Sequence, residues 1–185
     1  MIAQKAVGTS VFHVEREPWI IRAGAIDGHG RICREGLKGD LKIRGMHPLK
    51  AQTIVDVRVT FPDGGENKGK DTKKLVETHE EEKRKLYKSE CDKQSLDFVP
   101  FVITTDGVMG SCADKLIESL ARKIGSKWGK KAGVVRAWIR SRLSIANIRA
   151  TSACIRGSRT HPTPLELEAG FEDGAALQSL LSSGT

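Results

Sequence analysis

The sequence lacks cysteine pairs at metal-binding or redox spacing. Its four cysteines, Cys33, Cys91, Cys112 and Cys154, are scattered through 185 residues and form no C-x-x-C motif. This pattern argues against a zinc site and a disulfide framework, and it is typical of a reducing compartment. No apolar run is long enough to cross a membrane, and no N-terminal segment resembles a signal peptide. We therefore expect an intracellular protein with no membrane partner.

Acidic residues are absent from one continuous block of the chain. Between Ser119 and Leu165 there is no Asp or Glu, whereas eleven of the 31 Lys and Arg residues lie there. The other 20 bases and all 23 acids lie outside it, so the block carries +11 and the remainder −3 of the net +8. Because a solvated helix face usually interleaves acids with bases, this asymmetry indicates a polyanion partner, nucleic acid in particular. The candidate binding residues are Lys127, Lys130, Lys131, Arg136, Arg140, Arg142, Arg149, Arg156 and Arg159.

Apolar patterning predicts strands in the first part of the chain and helices in the last. The predicted strands are 11–22, 31–45, 53–61 and 97–105, with an exposed Gly- and Lys-rich loop over 62–74. The predicted helices are 75–93, 111–128 with Ser111 as N-cap, and 132–156. The core face predicted for the last helix consists of Val135, Ile139, Leu143, Ala146, Ala150 and Ala153. This order predicts one α/β (α+β) domain with a sheet packed against helices.

Two aspartates are the strongest candidates for chemistry. Asp40 and Asp56 lie in short strand-like runs sixteen positions apart, and β-branched apolar residues flank Asp56 on both sides. A buried carboxylate is costly unless it is paired, and a divalent cation held by two carboxylates is one standard solution. Taken singly, Asp40 could cap a turn, and Asp56 could pair with Arg58 or with a neighbouring strand. Lys83 or Lys85, on the helix that follows, could reach both aspartates and orient a metal-activated water.

A competing motif lies between the second aspartate and that helix. Residues 64–71 nearly spell the phosphate-binding loop G-x-x-x-x-G-K-[ST], but Asp71 stands where a hydroxyl would bind Mg²⁺. A carboxylate at that position would repel a nucleotide, so an exposed loop is the better interpretation. An NTPase therefore ranks third, behind a metal-dependent nuclease and a nucleic-acid-binding module without catalysis, and we expect no small-molecule cofactor.

Several blocks of sequence together resemble one family. The main blocks are 39–45, 55–59, 79–87 with Cys91, 98–102 and 105–107, and shorter blocks follow at 126–128, 140–143, 148–151 and 155–159. Over about residues 12–175, their order resembles the restriction-endonuclease-like domain found after the reverse transcriptase in some non-long-terminal-repeat retrotransposons. That domain belongs to the PD-(D/E)-x-K nuclease superfamily. The resemblance is specific in the order of the blocks rather than in any single block.

The resemblance implies a restriction-endonuclease-like mixed sheet of about four strands over 1–110 and a pair of basic helices packed on it over 111–159. The two prolines after Gly157 and the Ser- and Gly-rich end predict a loose tail over 160–185. The resemblance also implies a nuclear endonuclease that depends on Mg²⁺ (or Mn²⁺) and nicks target DNA to prime reverse transcription. Element RNA and an upstream reverse transcriptase region would be further partners. The alternative is a catalytically inactive nucleic-acid-binding module derived from a retrotransposon.

Position by position, the resemblance makes Asp40 and Asp56 the metal-binding acids, and Lys83 best matches the lysine of the following helix. There are two departures close to these residues. Gly39 stands where the superfamily name has proline, and Arg58 stands where a D-x-K lysine would stand. The catalytic lysine must therefore come from the helix, at Lys83 or Lys85.

Overall fold

The computed structural model describes residues 13–26 and 36–155, so Arg156, Arg159 and the predicted tail over 160–185 lie outside the described residues. The strands are β1 (Val14–Arg16), β2 (Trp19–Ile21), β3 (Leu37–Lys38), β4 (Leu41–Arg44), β5 (Gln52–Thr60) and β6 (Asp97–Thr104). The helices are α1 (Thr72–Lys93), α2 (Ser111–Trp128) and α3 (Ala132–Ile155). The chain divides into two units, Met1–Arg149 and Ala150–Thr185. No helix in the described ranges is long and apolar enough to span a membrane.

The main sheet has four strands in the order β1–β4–β5–β6, and a separate two-stranded sheet pairs β2 with β3. β4 pairs antiparallel with both β1 and β5, whereas β5 pairs parallel with β6. Parallel neighbours need a crossover connection, and α1 provides it between β5 and β6. The predicted α/β fold class with a sheet of about four strands packed against helices is confirmed.

β5 contributes to two apolar clusters because successive side chains of a strand point to opposite faces. On one face, Val55 packs in a cluster with residues of α2 and α3, among them Ile117 and Ile139. On the other face, Ile54 packs in a cluster with Tyr87 and Cys91 of α1. The sheet is thus covered by α1 on one face and by α2 and α3 on the other.

Backbone conformation divides two segments that we predicted as single strands. The segment 11–22 separates into β1 and β2, in different sheets, at Glu17, whose φ of 47° is incompatible with a continuous strand. The described part of 31–45 separates into β3 and β4 at Gly39 and Asp40.

The helix predictions hold with three corrections. α2 spans its predicted residues, but its N-cap is Gly110 rather than Ser111. α1 begins earlier than predicted because Asp71 caps it by accepting a 2.9 Å hydrogen bond from the Lys74 amide. On α3, Val135 and Ile139 are buried as predicted, whereas Ala150 and Ala153 are exposed. The apolar period therefore overstates the length of the buried face of α3.

Candidate functional site

Alternate residues of β5 contact α1 along one face of the sheet. Side chains two apart on a strand share a face, and residues three or four apart share a face of a helix. As the residue numbers rise along β5, the numbers of the contacting residues on α1 fall. The helix therefore runs antiparallel to the strand. The contacts are Ile54 with Tyr87 and Cys91, Asp56 with Lys83, Arg58 with Glu82, and Thr60 with His79.

The central contact in this row is an ion pair. Nζ of Lys83 lies 2.6 Å from Oδ2 of Asp56, and the side chains are 22% and 6% exposed. The contact between Lys83 and Asp56 does not have the geometry of a hydrogen bond. This buried Oδ2 therefore has no directional hydrogen-bond partner among the described residues. The hydroxyl of Tyr87 is also hydrogen-bonded to the Asp56 carboxylate. Asp56 is thus held by a lysine and a tyrosine of the same helix.

Asp40 lies beside Asp56 because of the strand register. Leu41 is paired with Val55, so continuing this antiparallel register one residue outward brings Asp40 opposite Asp56. The Asp40 amide donates to the Val55 carbonyl over 3.0 Å, and its Oδ2 accepts from the Val57 amide over 2.5 Å. Its side chain thereby takes the place of a backbone acceptor where the β4–β5 pairing ends.

The electrostatics of Tyr87 indicate that both aspartates lie at one site. Burial is the main cause that raises the pKa of Tyr87, followed by its hydrogen bond with Asp56 and the charges of Asp56 and Asp40. A carboxylate disfavours a nearby phenolate because both are negative. Both carboxylates therefore lie near this hydroxyl, and Asp56 also contacts Lys83.

The two candidate lysines differ in position. Lys83 contacts Asp56, whereas Lys85 is exposed on α1, about 200° further round the helix by helical geometry. Arg58 pairs with Glu82 over 2.7 Å, so the alternative in which it neutralises Asp56 is wrong. The geometry therefore favours Lys83 as the lysine of the site.

The departure at Gly39 has a steric explanation. A Cβ on Gly39 would lie 2.5 Å from Cγ2 of Ile54, closer than real side chains allow. The Gly39 amide also donates to the Pro18 carbonyl over 3.0 Å, and proline has no amide hydrogen to donate. Glycine rather than proline is therefore required at position 39 for Asp40 to lie against β5.

The donor set suits a hard divalent cation. Mg²⁺ is commonly held by one or two carboxylates with water in its remaining positions, and Mn²⁺ accepts similar oxygen ligands. The buried Oδ2 of Asp56, which lacks a directional partner in the described part of the chain, is the feature that fits such an ion. Within those same residues, no group of three or more His, Cys, Asp or Glu side chains could hold a metal. A cation here would thus be held by Asp40 and Asp56.

Sequence reasoning missed the buried carboxylate of Glu80. Glu80 is 3% exposed, and its carboxylate accepts hydrogen bonds from the Cys112 amide at 2.9 Å and the Ser111 hydroxyl at 3.2 Å. It therefore supplies the cap that Gly110 lacks at the start of α2. The sequence holds a signal for this role, because Val76, Glu80, Lys83 and Tyr87 follow helical spacing and place two charges on the buried face.

The predicted nucleic-acid-binding residues that the structure describes fall into three groups. Arg136 and Arg140 both bind Asp114 of α2, at 2.7 and 2.6 Å, so they are not a freely solvated pair. The Arg142 guanidinium lies 5.9 Å from the centre of the Trp138 ring, and Lys130 is half-buried. Lys127, Lys131 and Arg149 are exposed and lie outside the contacts with Asp114.

Asp114 precedes the acid-free block in sequence, which is why the charge pattern did not reveal its contacts with that block. Trp128 and Trp138 pack edge-to-face at 5.9 Å, in keeping with the packing role that their sequence context favoured over base stacking. A comparison with known proteins finds no family model that matches the chain and no curated protein of significant sequence similarity.

Proposed function

We propose that this chain is a metal-dependent DNA endonuclease domain of retroelement origin, with a restriction-endonuclease-like fold, which nicks target DNA to prime reverse transcription. The observation that carries the proposal is the buried Asp56 carboxylate, which contacts Lys83 and lies beside Asp40 in the strand register. Two carboxylates and a lysine at one point are the groups that phosphodiester hydrolysis requires. The mixed four-stranded sheet with its crossover helix is consistent with this fold.

Each residue of the site has a distinct role in this proposal. Asp40 and Asp56 would hold Mg²⁺ or Mn²⁺, which when bound supplies an activated water and neutralises charge on the phosphate. Lys83, as an ammonium on the same carboxylate, orients the attacking water or contacts a phosphate oxygen. Burial of Asp56 keeps the carboxylate out of bulk water, so its attraction to a cation is less screened.

The acid-free block supports DNA as the substrate. Lys127, Lys131 and Arg149 are exposed and can neutralise phosphates, which supplies affinity without reading sequence. Replacing all three with Gln should flatten the dependence of DNA affinity on salt by about two to three units, at about 0.9 per phosphate contact. A control with Gln at Lys68, Lys73 and Lys74 makes the same charge change outside the block and should leave the slope unaltered.

Nicking of supercoiled plasmid tests the enzymatic proposal. The purified protein should nick in Mg²⁺ or Mn²⁺ and stop in a chelator, and Asp56→Asn should lower nicking by several orders of magnitude. Asp63→Asn, in the exposed loop after β5, removes the same charge away from the site and should nick at the parent rate. Activity that survives in Asp56→Asn would belong to a contaminant or to another site.

The second candidate is a nucleic-acid-binding module that does not cut. The acid-free block favours it, because this block gives the same DNA affinity whether or not the aspartates bind metal. A parent protein that binds DNA with the expected salt dependence but never nicks in either metal would establish this module in place of the nuclease.

A further inference from the structure

Tyr87 is the only tyrosine in the chain and lies at the centre of the site without a role in the proposal above. It is 7% exposed, and its ring stacks on Phe98 of β6 with centres 5.0 Å apart and planes 10° apart. Its hydroxyl is hydrogen-bonded to Asp56, and Nζ of Lys83 lies 5.6 Å from its ring centre. One side chain thus contacts both the carboxylate and the ammonium that carry the site.

We propose that Tyr87 is a positioning residue that fixes the Asp56 carboxylate with its hydroxyl and the Lys83 ammonium with its ring face. This inference rests on the proposed function, since it assigns Tyr87 to the same metal site. The stack on Phe98 fixes the ring to the sheet, so the hydroxyl and the ring face are held in place by the core.

Fixing the carboxylate matters because rotation about the last bond of an aspartate is soft. A donated hydrogen bond selects one orientation, and carboxylates that bind metals are usually held in this way by an outer partner. With one part of the carboxylate engaged by the hydroxyl, Oδ2 stays directed toward Lys83, and toward a cation when one binds. Tyr87 therefore limits the rotation of the Asp56 carboxylate.

The ring holds Lys83 in a different manner. A ring face attracts an ammonium electrostatically, without accepting one directional hydrogen bond from it. The N–H groups of Lys83 that do not face Asp56 remain able to donate to water or to a phosphate oxygen. A tyrosine hydroxyl has an ordinary pKa of about 10, so it is a donor at neutral pH and not a base.

The variant Tyr87→Phe removes the hydroxyl and keeps the ring, so it isolates the contact with Asp56. In the absence of DNA, its affinity for Mn²⁺ should fall by about tenfold or more, the usual effect of removing an outer partner of a metal-binding residue. The rate of plasmid nicking at saturating DNA should fall similarly, whereas KM for DNA should stay at the parent value. Ile117→Val is the control, because it removes a methyl group from the cluster on the opposite face of the sheet and should lower stability while Mn²⁺ affinity is retained.

A purely structural role would give a lower urea midpoint for Tyr87→Phe with Mn²⁺ affinity and nicking rate unchanged, and that result would overturn the inference. A second measurement needs no metal. The single tyrosine gives one ¹³Cζ NMR signal, which can be followed in the metal-free protein. This signal should shift in metal-free Asp56→Asn and in Lys83→Met, and a signal that is unmoved in both would also overturn the inference. A parent that neither binds Mn²⁺ nor nicks would refute the proposed function, and the metal-free measurement would still test the contacts of Tyr87.

Discussion

Nζ of Lys83 and Oδ2 of Asp56 lie 2.6 Å apart, although an exposed loop and three turns of helix separate the two residues in sequence. The pairing results from the parallel crossover, in which α1 runs back across β5 before the chain enters β6. Asp56 is buried and Lys83 is partly exposed, so one end of the pair belongs to the core and the other faces solvent. The stability of the protein and its proposed activity therefore depend on the same contact.

Asp56→Asn should lower the free energy of unfolding of the metal-free protein. Repulsion between the two aspartates would by itself predict a gain, but the variant leaves the Lys83 ammonium without its partner. Because Lys83 is partly exposed, we expect a loss of roughly 1–3 kcal/mol, less than for a fully buried pair. Urea denaturation of Asp56→Asn, Lys83→Met and the double variant measures the coupling, and equal losses that simply add would show that the pair contributes nothing.

Asp114→Asn should strengthen DNA binding. It releases Arg136 and Arg140, which now bind the Asp114 carboxylate at 2.7 and 2.6 Å, and makes both available to phosphates. The slope of log affinity against log salt should become steeper by about one to two units. Glu118→Gln removes one charge from an exposed position on the same helix, and an equal effect in both variants would mean that only net charge matters.

Gly39→Ala should destabilise the protein by roughly 1–3 kcal/mol, the usual range for added volume in a packed site. The new methyl group would lie 2.5 Å from Cγ2 of Ile54 and would push Asp40 away from β5. The matched control is Gly65→Ala, because a Cβ there meets no atom within 4 Å. Thermal unfolding of the two variants in parallel checks the prediction, which fails if both change Tm equally.

His79 should make stability fall on the acidic side of neutrality. Burial, followed by the charge of Arg58, lowers the pKa of His79, and its ring is hydrogen-bonded to Thr60 at 3.0 Å. A lowered folded-state pKa means that the unfolded chain takes up the proton more readily. The contribution of His79 is therefore complete above its ordinary pKa of about 6.5 and is lost as the pH falls toward the folded-state value.

Urea midpoints between pH 5 and pH 8 measure this dependence. His79→Gln should flatten the fall in stability across that window, whereas His13→Gln, at an exposed position, should reproduce the parent curve. A parent curve that is flat from pH 8 to pH 5 would show that His79 is not held neutral by the fold.

Regular elements with a clear apolar period could be predicted from the sequence, and α2 was predicted with its observed bounds. The breaks at Glu17 and at Gly39 could not, because Glu17 has a positive φ and Gly39 lies so close to Ile54 of another strand that a side chain would not fit there. Local propensity carries no information about either. The same limit applies to the end of the buried face on α3, which depends on tertiary packing.

Within the site, Asp40, Asp56 and Lys83 could be predicted because acids in apolar strands and a lysine on the next helix are visible in sequence. The role inferred for Tyr87 could not, since an aromatic residue at helical spacing usually indicates core packing. Asp114 was missed for another reason: its partners lie on α3, and composition shows only that the block beyond it lacks acids.

The alternating contacts between β5 and α1 also determine where the chain can change length. One residue inserted within β5 would turn the side chains beyond it to the opposite face and could detach Asp56, Arg58 and Thr60 from α1 together. Residues added to the exposed loop over 61–71 would leave these contacts in place, because loop closure becomes only slowly less favourable with length. Divergent relatives should therefore keep the alternation around the second aspartate while its distance to the lysine varies freely.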